Sequence, residues 1–209
     1  MKAQFLPFDR VSSIVSKAAK ETISAFNDRD LPGEEEITTS LVTRIHIGID
    51  GHYINGVHWS AKILSHQGAG SEEKLFGADF LGVVRLNIMD YHVEKGFLVQ
   101  AKRQEPGKEL SLSEWVRLRE QCDKMLFISP HSYVFVYSHI GIIAVPASTI
   151  FACHNIQDLY KLPQIRIGQF YKRHFYCQIG DRKLSAELLS KIKEERLSTS
   201  GLLLQGQKG

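Results

Sequence analysis

The sequence predicts an α/β fold in which a mixed central sheet of four or five strands is flanked by helices. Short apolar runs rich in β-branched and aromatic residues, bounded by Gly, Asn or Asp, are typical of strands. Longer segments with apolar residues three or four positions apart are typical of amphipathic helices. The strand candidates are residues 57–64, 77–86, 96–102, 132–137 and 141–145, with helical segments before and after them.

The helices are predicted from apolar spacing and from residues typical of helix ends. Residues 9–27 form an amphipathic pattern, which the turn-forming residues 31–33 interrupt. A second helix begins at Glu34, and a later one, residues 111–125, opens with the Ser-x-x-Glu spacing of a capping box. Two further helices are predicted in the second half of the chain, at residues 150–154 and 184–196.

Composition limits the class of protein. Apolar residues make up 43% and charged residues 23% of the 209 positions, which is ordinary for a globular domain. The net charge of +3 permits nucleic-acid binding through a local basic patch without requiring it. The three cysteines are far apart and lack zinc or disulfide spacing, and no apolar run reaches the ~18 residues of a membrane span. We therefore expect a cytoplasmic protein with no membrane partner.

The candidate site residues come from the ends of two predicted strands. Asp79 lies near the start of one strand, and Gln100 and Lys102 lie at the end of the next. If the short connection between them is a hairpin, these ends lie side by side. Side chains two positions apart share a strand face, so Gln100 and Lys102 project together. An acid, an amide oxygen and an amine at one sheet edge can hold a divalent cation and a water beside a phosphate.

This ordered set resembles the core of the PD-(D/E)XK, or restriction-endonuclease-like, nuclease superfamily. The residues that carry the resemblance are Gly77-Ala78-Asp79 in one strand and Gln100-Ala101-Lys102 in the next, with Gln100 where the stricter motif has an acid. The order of elements over residues 30–140 is also similar. The resemblance implies a restriction-endonuclease-like sheet, and it extends to the bacterial defence-associated branch of the superfamily.

On this basis the chain divides into three parts. Residues 1–30 are an N-terminal helix, residues 31–197 a PD-(D/E)XK nuclease-like domain, and residues 198–209 a flexible tail.

The resemblance implies a Mg²⁺-dependent endonuclease, with Mn²⁺ as a substitute, that hydrolyses phosphodiester bonds in nucleic acid. DNA is expected rather than RNA, and anti-phage defence is the implied setting. Asp79 would bind the metal directly, and the Gln100 amide oxygen and the Ala101 carbonyl would be further ligands. Lys102 would orient the attacking water or hold a phosphate oxygen. Because functional carboxylates often lower stability, Asp79→Ala is expected to leave the thermal midpoint unchanged or raised.

The superfamily pattern also includes an acid on a preceding helix. Glu34, Glu35 and Glu36 open the second helix, where acidic residues also suit the helix dipole without any catalytic role. We predict Glu35 as the catalytic acid and Glu34 as the next candidate, because both lie near the apolar face; Glu72 is the reserve. Gln121, on the later helix, is the candidate for a further polar residue near the site.

Other functions stay open. Gln100 leaves Asp79 as the one certain carboxylate, which favours single-metal chemistry but also allows a catalytically inactive module. Such a module would bind nucleic acid, or assemble as a homo-oligomer or with a partner effector of a defence system. Residues 164–181 alternate aromatic and basic side chains, which is compatible with base stacking, although we prefer an amphipathic element with its rings in the core.

Overall fold

The computed structural model describes residues 8–64, 77–88, 91–188 and 200–208. These residues contain one 3₁₀ helix, Leu159–Lys161, together with α-helices and β-strands. In chain order these are α1 (Phe8–Asn27), α2 (Glu34–Ile49), β1 (His52–Ile54), β2 (Val57–Leu64), β3 (Phe80–Ile88), β4 (Tyr91–Arg103), α3 (Leu112–Ile128), β5 (Ser132–Ser138), β6 (Gly141–Pro146), α4 (Ala147–Ala152), β7 (Ile165–Arg166), α5 (Ile167–Phe175) and β8 (Ser200–Lys208).

The strands form one mixed sheet with helices on both faces, so the predicted α/β class is confirmed. The strand order is β1-β2-β8-β3-β4-β5-β6-β7. The described residues contain eight strands in place of the four or five expected. β3 and β4 are antiparallel neighbours, as predicted, with Phe80 opposite Val99 and Gly82 opposite Phe97. β4 is parallel to β5, which is antiparallel to β6.

The connection predicted at residues 87–95 is much shorter in the structure. β3 continues to Ile88, and β4 already begins at Tyr91. The polar residues that suggested a turn are instead accommodated within the strands. Arg85 and Glu94, for example, lie opposite each other, with the guanidinium Nε 2.7 Å from the carboxylate Oε2. Cross-strand pairs of opposite charge stabilise a sheet at positions where sequence polarity alone indicates a loop.

The flexible tail predicted at residues 198–209 is wrong for Ser200–Lys208. This segment is β8, which lies between β2 and β3, antiparallel to the former and parallel to the latter. Leu202 and Leu204 enter the core on one face of the sheet, and Leu203 enters the core on the other. A strand buried on both faces has no alternation of apolar and polar residues, which removes the usual strand signal.

Two hydrophobic cores lie on opposite faces of the sheet. The first is formed with α1, α2 and α5, and the second with α3 and α4. Successive residues of β4 alternate between them: Phe97, Val99 and Ala101 face the first, and Leu98 faces the second. α1 packs against α2 and α5, so the helix predicted as a separate N-terminal part shares the core of the domain.

The aromatic and basic segment forms part of this first core. Within α5, Phe170, Tyr171 and Phe175 are fully buried, while Lys172 and Arg173 lie outside the core. The preferred interpretation of residues 164–181 is therefore confirmed. Glu72 and most of the predicted helix 184–196 lie outside the described residues. No helix in the described part of the chain is both long enough and apolar enough to cross a membrane.

His174 makes the first core sensitive to acid. Its ring is fully buried against Phe97, and its Nδ1 lies 3.0 Å from the carbonyl oxygen of Ile179. Burial, helped by the positive charge of Lys95, lowers the pKa of the imidazole to about 3. An unfolded histidine has a pKa of about 6.5. Between these two values the unfolded chain binds a proton that the folded chain excludes, so the free energy of unfolding falls as the pH falls.

We expect His174→Phe to reduce this acid sensitivity. The loss of unfolding free energy between about pH 7 and about pH 5 should be smaller in the variant than in the parent by about 2 kcal/mol. Denaturant unfolding at both pH values measures the difference. Groups other than His174 contribute equally to both proteins, so equal losses in parent and variant would contradict the prediction.

Candidate functional site

The predicted site residues meet where β3 begins and β4 ends. The backbone N–H of Asp79 donates to the carbonyl oxygen of Val99 at 2.8 Å, which continues the β3–β4 register and sets Asp79 opposite Gln100. Gly77 has a positive φ of 66°, and a Cβ there would lie 2.7 Å from the carbonyl oxygen of Gln121 in α3. Only glycine permits both the backbone conformation and this close approach, so Gly77 fixes the position of Asp79.

Asp79 and the end of β4 form a tight polar cluster. Oδ2 of Asp79 accepts a hydrogen bond from the backbone N–H of Ala101 at 2.8 Å and another from Nε2 of Gln100. The same Nε2 lies 3.2 Å from the carbonyl oxygen of Ala101. Gln100 is 5% exposed, and its Oε1 is buried without a hydrogen-bond partner among the described residues. A buried amide oxygen normally accepts a hydrogen bond, so the described residues lack a hydrogen-bond donor for Oε1.

The unmet oxygen bears on metal binding. The two ends of a glutamine amide have the same shape, and half a turn of the amide would bring Oε1 to the place of Nε2. In that orientation Oε1 would lie beside Oδ2 of Asp79 and 3.2 Å from the carbonyl oxygen of Ala101. Mg²⁺ prefers such oxygen ligands and keeps several waters. The residues therefore fit a hard divalent cation held by one carboxylate.

The described residues contain no group of three or more His, Cys, Asp or Glu side chains that could hold a metal. A metal at this site would therefore depend on the neutral oxygens of Gln100 and Ala101, and it would be bound more weakly than by two carboxylates.

Lys102 lies between two carboxylates. Its Nζ is 3.2 Å from Oε1 of Glu114 and 3.6 Å from Oε1 of Glu34, and its side chain is 19% exposed. Oε1 of Glu34 also accepts the backbone N–H of Arg103 at 2.7 Å. These contacts join the start of α2, the end of β4 and the start of α3.

Glu114 has a second role in addition to its contact with Lys102. It is the glutamate of the predicted capping box: Oε2 accepts from the backbone N–H and the hydroxyl of Ser111, at 3.1 and 2.7 Å. These hydrogen bonds, together with the one from Lys102, lower the pKa of the Glu114 carboxyl. The sequence indicates only a helix cap at this position, because the contact between the cap and β4 joins distant parts of the chain.

Among the helix acids, the structure brings Glu34 to the site and not Glu35. Glu34 is the first residue of α2 and is directed to the end of β4, whereas Glu35 and Glu36 are exposed. Helical spacing predicts that Glu34 and Glu35 both lie near the apolar face of α2, but it does not determine which of them lies next to the end of β4. Gln121 is half-buried in the middle of α3, and its carbonyl oxygen would lie 2.7 Å from a Cβ added to Gly77, so α3 passes close to the segment that leads to Asp79.

A comparison of the chain with protein families, with curated proteins and with solved structures found no match in any of the three.

Proposed function

We propose that the chain is a Mg²⁺-dependent nuclease that hydrolyses phosphodiester bonds in nucleic acid, with its active site at Asp79, Gln100 and Lys102. The observation that carries this proposal is the buried amide of Gln100, which contacts the Asp79 carboxylate through Nε2 and whose Oε1 has no hydrogen-bond partner among the described residues. Its position in a Gly-Ala-Asp and Gln-Ala-Lys pair of antiparallel strands supports the resemblance to PD-(D/E)XK nucleases. DNA is the preferred substrate in this proposal, and bacterial anti-phage defence the setting.

Each residue has a separate task. A bound Mg²⁺ would supply an activated water and neutralise charge on the phosphoryl oxygens. Asp79 and the two oxygens of Gln100 and Ala101 would hold it. An ammonium group has three N–H donors, so Lys102 can contact two carboxylates and still donate to a phosphate oxygen or to the attacking water.

Glu34 is the helix acid in this proposal. Its contact with Lys102 would hold the ammonium in place at the end of β4. The carboxylates of Glu34 and Glu114 both contact the ammonium of Lys102.

The test is incubation of the purified chain with plasmid, linear and single-stranded substrates in Mg²⁺, Mn²⁺ or EDTA. We expect cleavage with either metal and none with EDTA. Glu34→Gln should slow cleavage by about tenfold or more, because it removes the charge of one of the two carboxylates that hold Lys102 in place. Glu35→Gln is the matched control on the same helical turn and should cleave at the parental rate. Absence of cleavage in all conditions, or cleavage that persists in EDTA, would contradict the proposal.

The second candidate is a nuclease-fold module without catalysis. The observation that favours it is that Asp79 and Lys102 both have partners inside the protein, which suits purely structural roles. Such a module would bind nucleic acid, or assemble with a partner effector, without cleaving. Binding measured by fluorescence anisotropy in the presence of Mg²⁺, with intact substrate recovered afterwards, would favour this candidate.

A further inference from the structure

A second group of reactive side chains lies on the opposite face of the sheet, towards the beginning of β4. Tyr91 and Lys95 project from β4 on the face that also carries Phe97. His174, near the end of α5, contacts Phe97 with ring centroids 4.8 Å apart. Cys177 follows α5 and contacts Tyr91. The group is therefore separate from Asp79 and Lys102, which use the other face and the other end of β4.

Lys95 is the unusual member of this group. It is 3% exposed, and its Nζ is buried without a hydrogen-bond partner among the described residues. Its stem lies against Gly180, where an added Cβ would be 2.9 Å from Cδ of Lys95. Burial lowers the pKa of the amine, and the neighbouring Cys177 thiol partly offsets that effect. A lowered pKa increases the share of neutral amine, which is the nucleophilic form.

Cys177 occupies a position that does not favour cysteine. It follows Tyr176, the C-cap residue of α5, and its φ is +62°. Glycine is the usual residue there, because a side chain makes this conformation unfavourable. The thiol is exposed, and its sulfur accepts a hydrogen bond from the Tyr91 hydroxyl. The thiol of Cys177 is therefore exposed and held by Tyr91 at a backbone position that disfavours cysteine. This combination indicates a chemical role for the thiol and not a packing role.

No second thiol is close enough to react with Cys177. The chain has three cysteines, and all three are free. Cys122 is buried in the core on the α3 side of the sheet, and Cys153 packs against the same core. Cys177 lies on the other side of the sheet, where its sulfur contacts Tyr91. Lys95, on the same face of β4 as Tyr91, packs against Gly180, three residues after Cys177, so its amine is the nucleophile on this side of the sheet.

We propose that Cys177 and Lys95 form a covalent sulfur–nitrogen cross-link, a sulfenamide, when the protein meets a peroxide. In the first step the Cys177 sulfur attacks the peroxide, whose O–O bond breaks; the sulfur becomes a sulfenic acid and the peroxide is reduced to water or an alcohol. In the second step the Lys95 nitrogen attacks that sulfur. The S–N bond forms, the S–O bond breaks, and the hydroxide leaves as water with one proton from the amine. The sulfur is oxidised by two electrons overall.

The cross-link would join β4 to the segment after α5. It is reversible, because a thiol reductant attacks the sulfur and returns the free amine and the free cysteine. The proposal does not depend on the nuclease assignment and would hold equally for a non-catalytic module.

The experiment is treatment of the folded, purified chain with hydrogen peroxide, followed by intact-mass measurement and then, on a second portion, alkylation of free thiols and peptide mapping. We expect a product that has lost the mass of two hydrogen atoms, in which the peptide containing Lys95 is joined to the peptide containing Cys177. Treatment with dithiothreitol should restore the parental mass. Cys153→Ser is the matched control and should give the same product.

Two substitutions make the test decisive. Cys177→Ser should give no cross-link. Lys95→Met keeps the length of the side chain and removes the amine, so Cys177 should progress to sulfinic acid instead. Recovery of sulfinic acid at Cys177 in the parent without the joined peptide would overturn the proposal, and so would a disulfide-linked dimer as the main product. The parent mapping alone decides the question if Lys95→Met does not fold.

Discussion

Asp79→Asn is expected to abolish metal-dependent cleavage while leaving the fold intact. Asparagine has the shape of aspartate and still offers an oxygen to the backbone N–H of Ala101, which now binds Oδ2 at 2.8 Å. It lacks the negative charge that would hold the metal. Since a bound metal supplies several kcal/mol of charge stabilisation, the cleavage rate should fall by about 10³-fold or more. Magnesium affinity measured by calorimetry should fall as well.

Asp79→Ala is the informative companion variant. It removes the carboxylate that accepts a hydrogen bond from the backbone N–H of Ala101, a residue that is almost fully buried. A buried N–H without an acceptor lowers the free energy of unfolding by about 1–3 kcal/mol. We therefore expect the thermal midpoint of Asp79→Ala to fall, whereas the sequence alone led us to expect an unchanged or raised midpoint. Parental cleavage by a folded Asp79→Asn protein would remove this residue from the proposed mechanism.

Lys102→Met is expected to lower the cleavage rate by about 10²-fold or more while sparing metal affinity. The substitution removes the donor nearest the proposed phosphate position and keeps the length of the side chain. It also removes the cation between Glu34 and Glu114, but both carboxylates are partly exposed, and Glu114 keeps its hydrogen bonds to Ser111. The fold should therefore tolerate the change. Cleavage rate and magnesium affinity, measured on the same preparation, check the prediction.

Lys102→Arg tests whether cleavage needs the ammonium group of Lys102 or only a positive charge at this position. A planar guanidinium differs from an ammonium in shape and hardly deprotonates, so we expect poor rescue of cleavage. A non-catalytic module would behave differently: the parent would not cleave, and Lys102→Met would weaken nucleic-acid binding with a salt slope reduced by about one contact. A parent that cleaves at a rate unaffected by either substitution would exclude Lys102 from the mechanism.

The central hairpin could be predicted because its determinants are local. The β-branched runs on either side of the turn and the glycine before Asp79 are sufficient to indicate the pairing of β3 with β4 and the meeting of Asp79 with Gln100. The cap of α3 was predictable for the same reason, since Ser111 and Glu114 lie within one helical turn.

The features that escaped prediction depend on contacts between distant parts of the chain. The choice of Glu34 over Glu35 follows from how the start of α2 meets the end of β4, which helical spacing does not contain. The burial of Lys95 depends on Gly180, far along the chain. A lysine in a strand ordinarily indicates a solvent-exposed face, and only the covering loop makes it a buried amine.

The place of β8 has a consequence for the order in which the fold can be completed. β8 lies between β2 and β3, so each of these strands lacks a neighbour on that side until residues 200–208 have been synthesised. These residues follow β3 by more than a hundred positions. At about 5–20 residues per second, the edges of β2 and β3 stay open on the nascent chain for a time on the order of ten seconds. Unpaired strand edges of this kind are templates for intermolecular pairing. Soluble yield in cells should therefore depend on chaperones and on slow expression at low temperature.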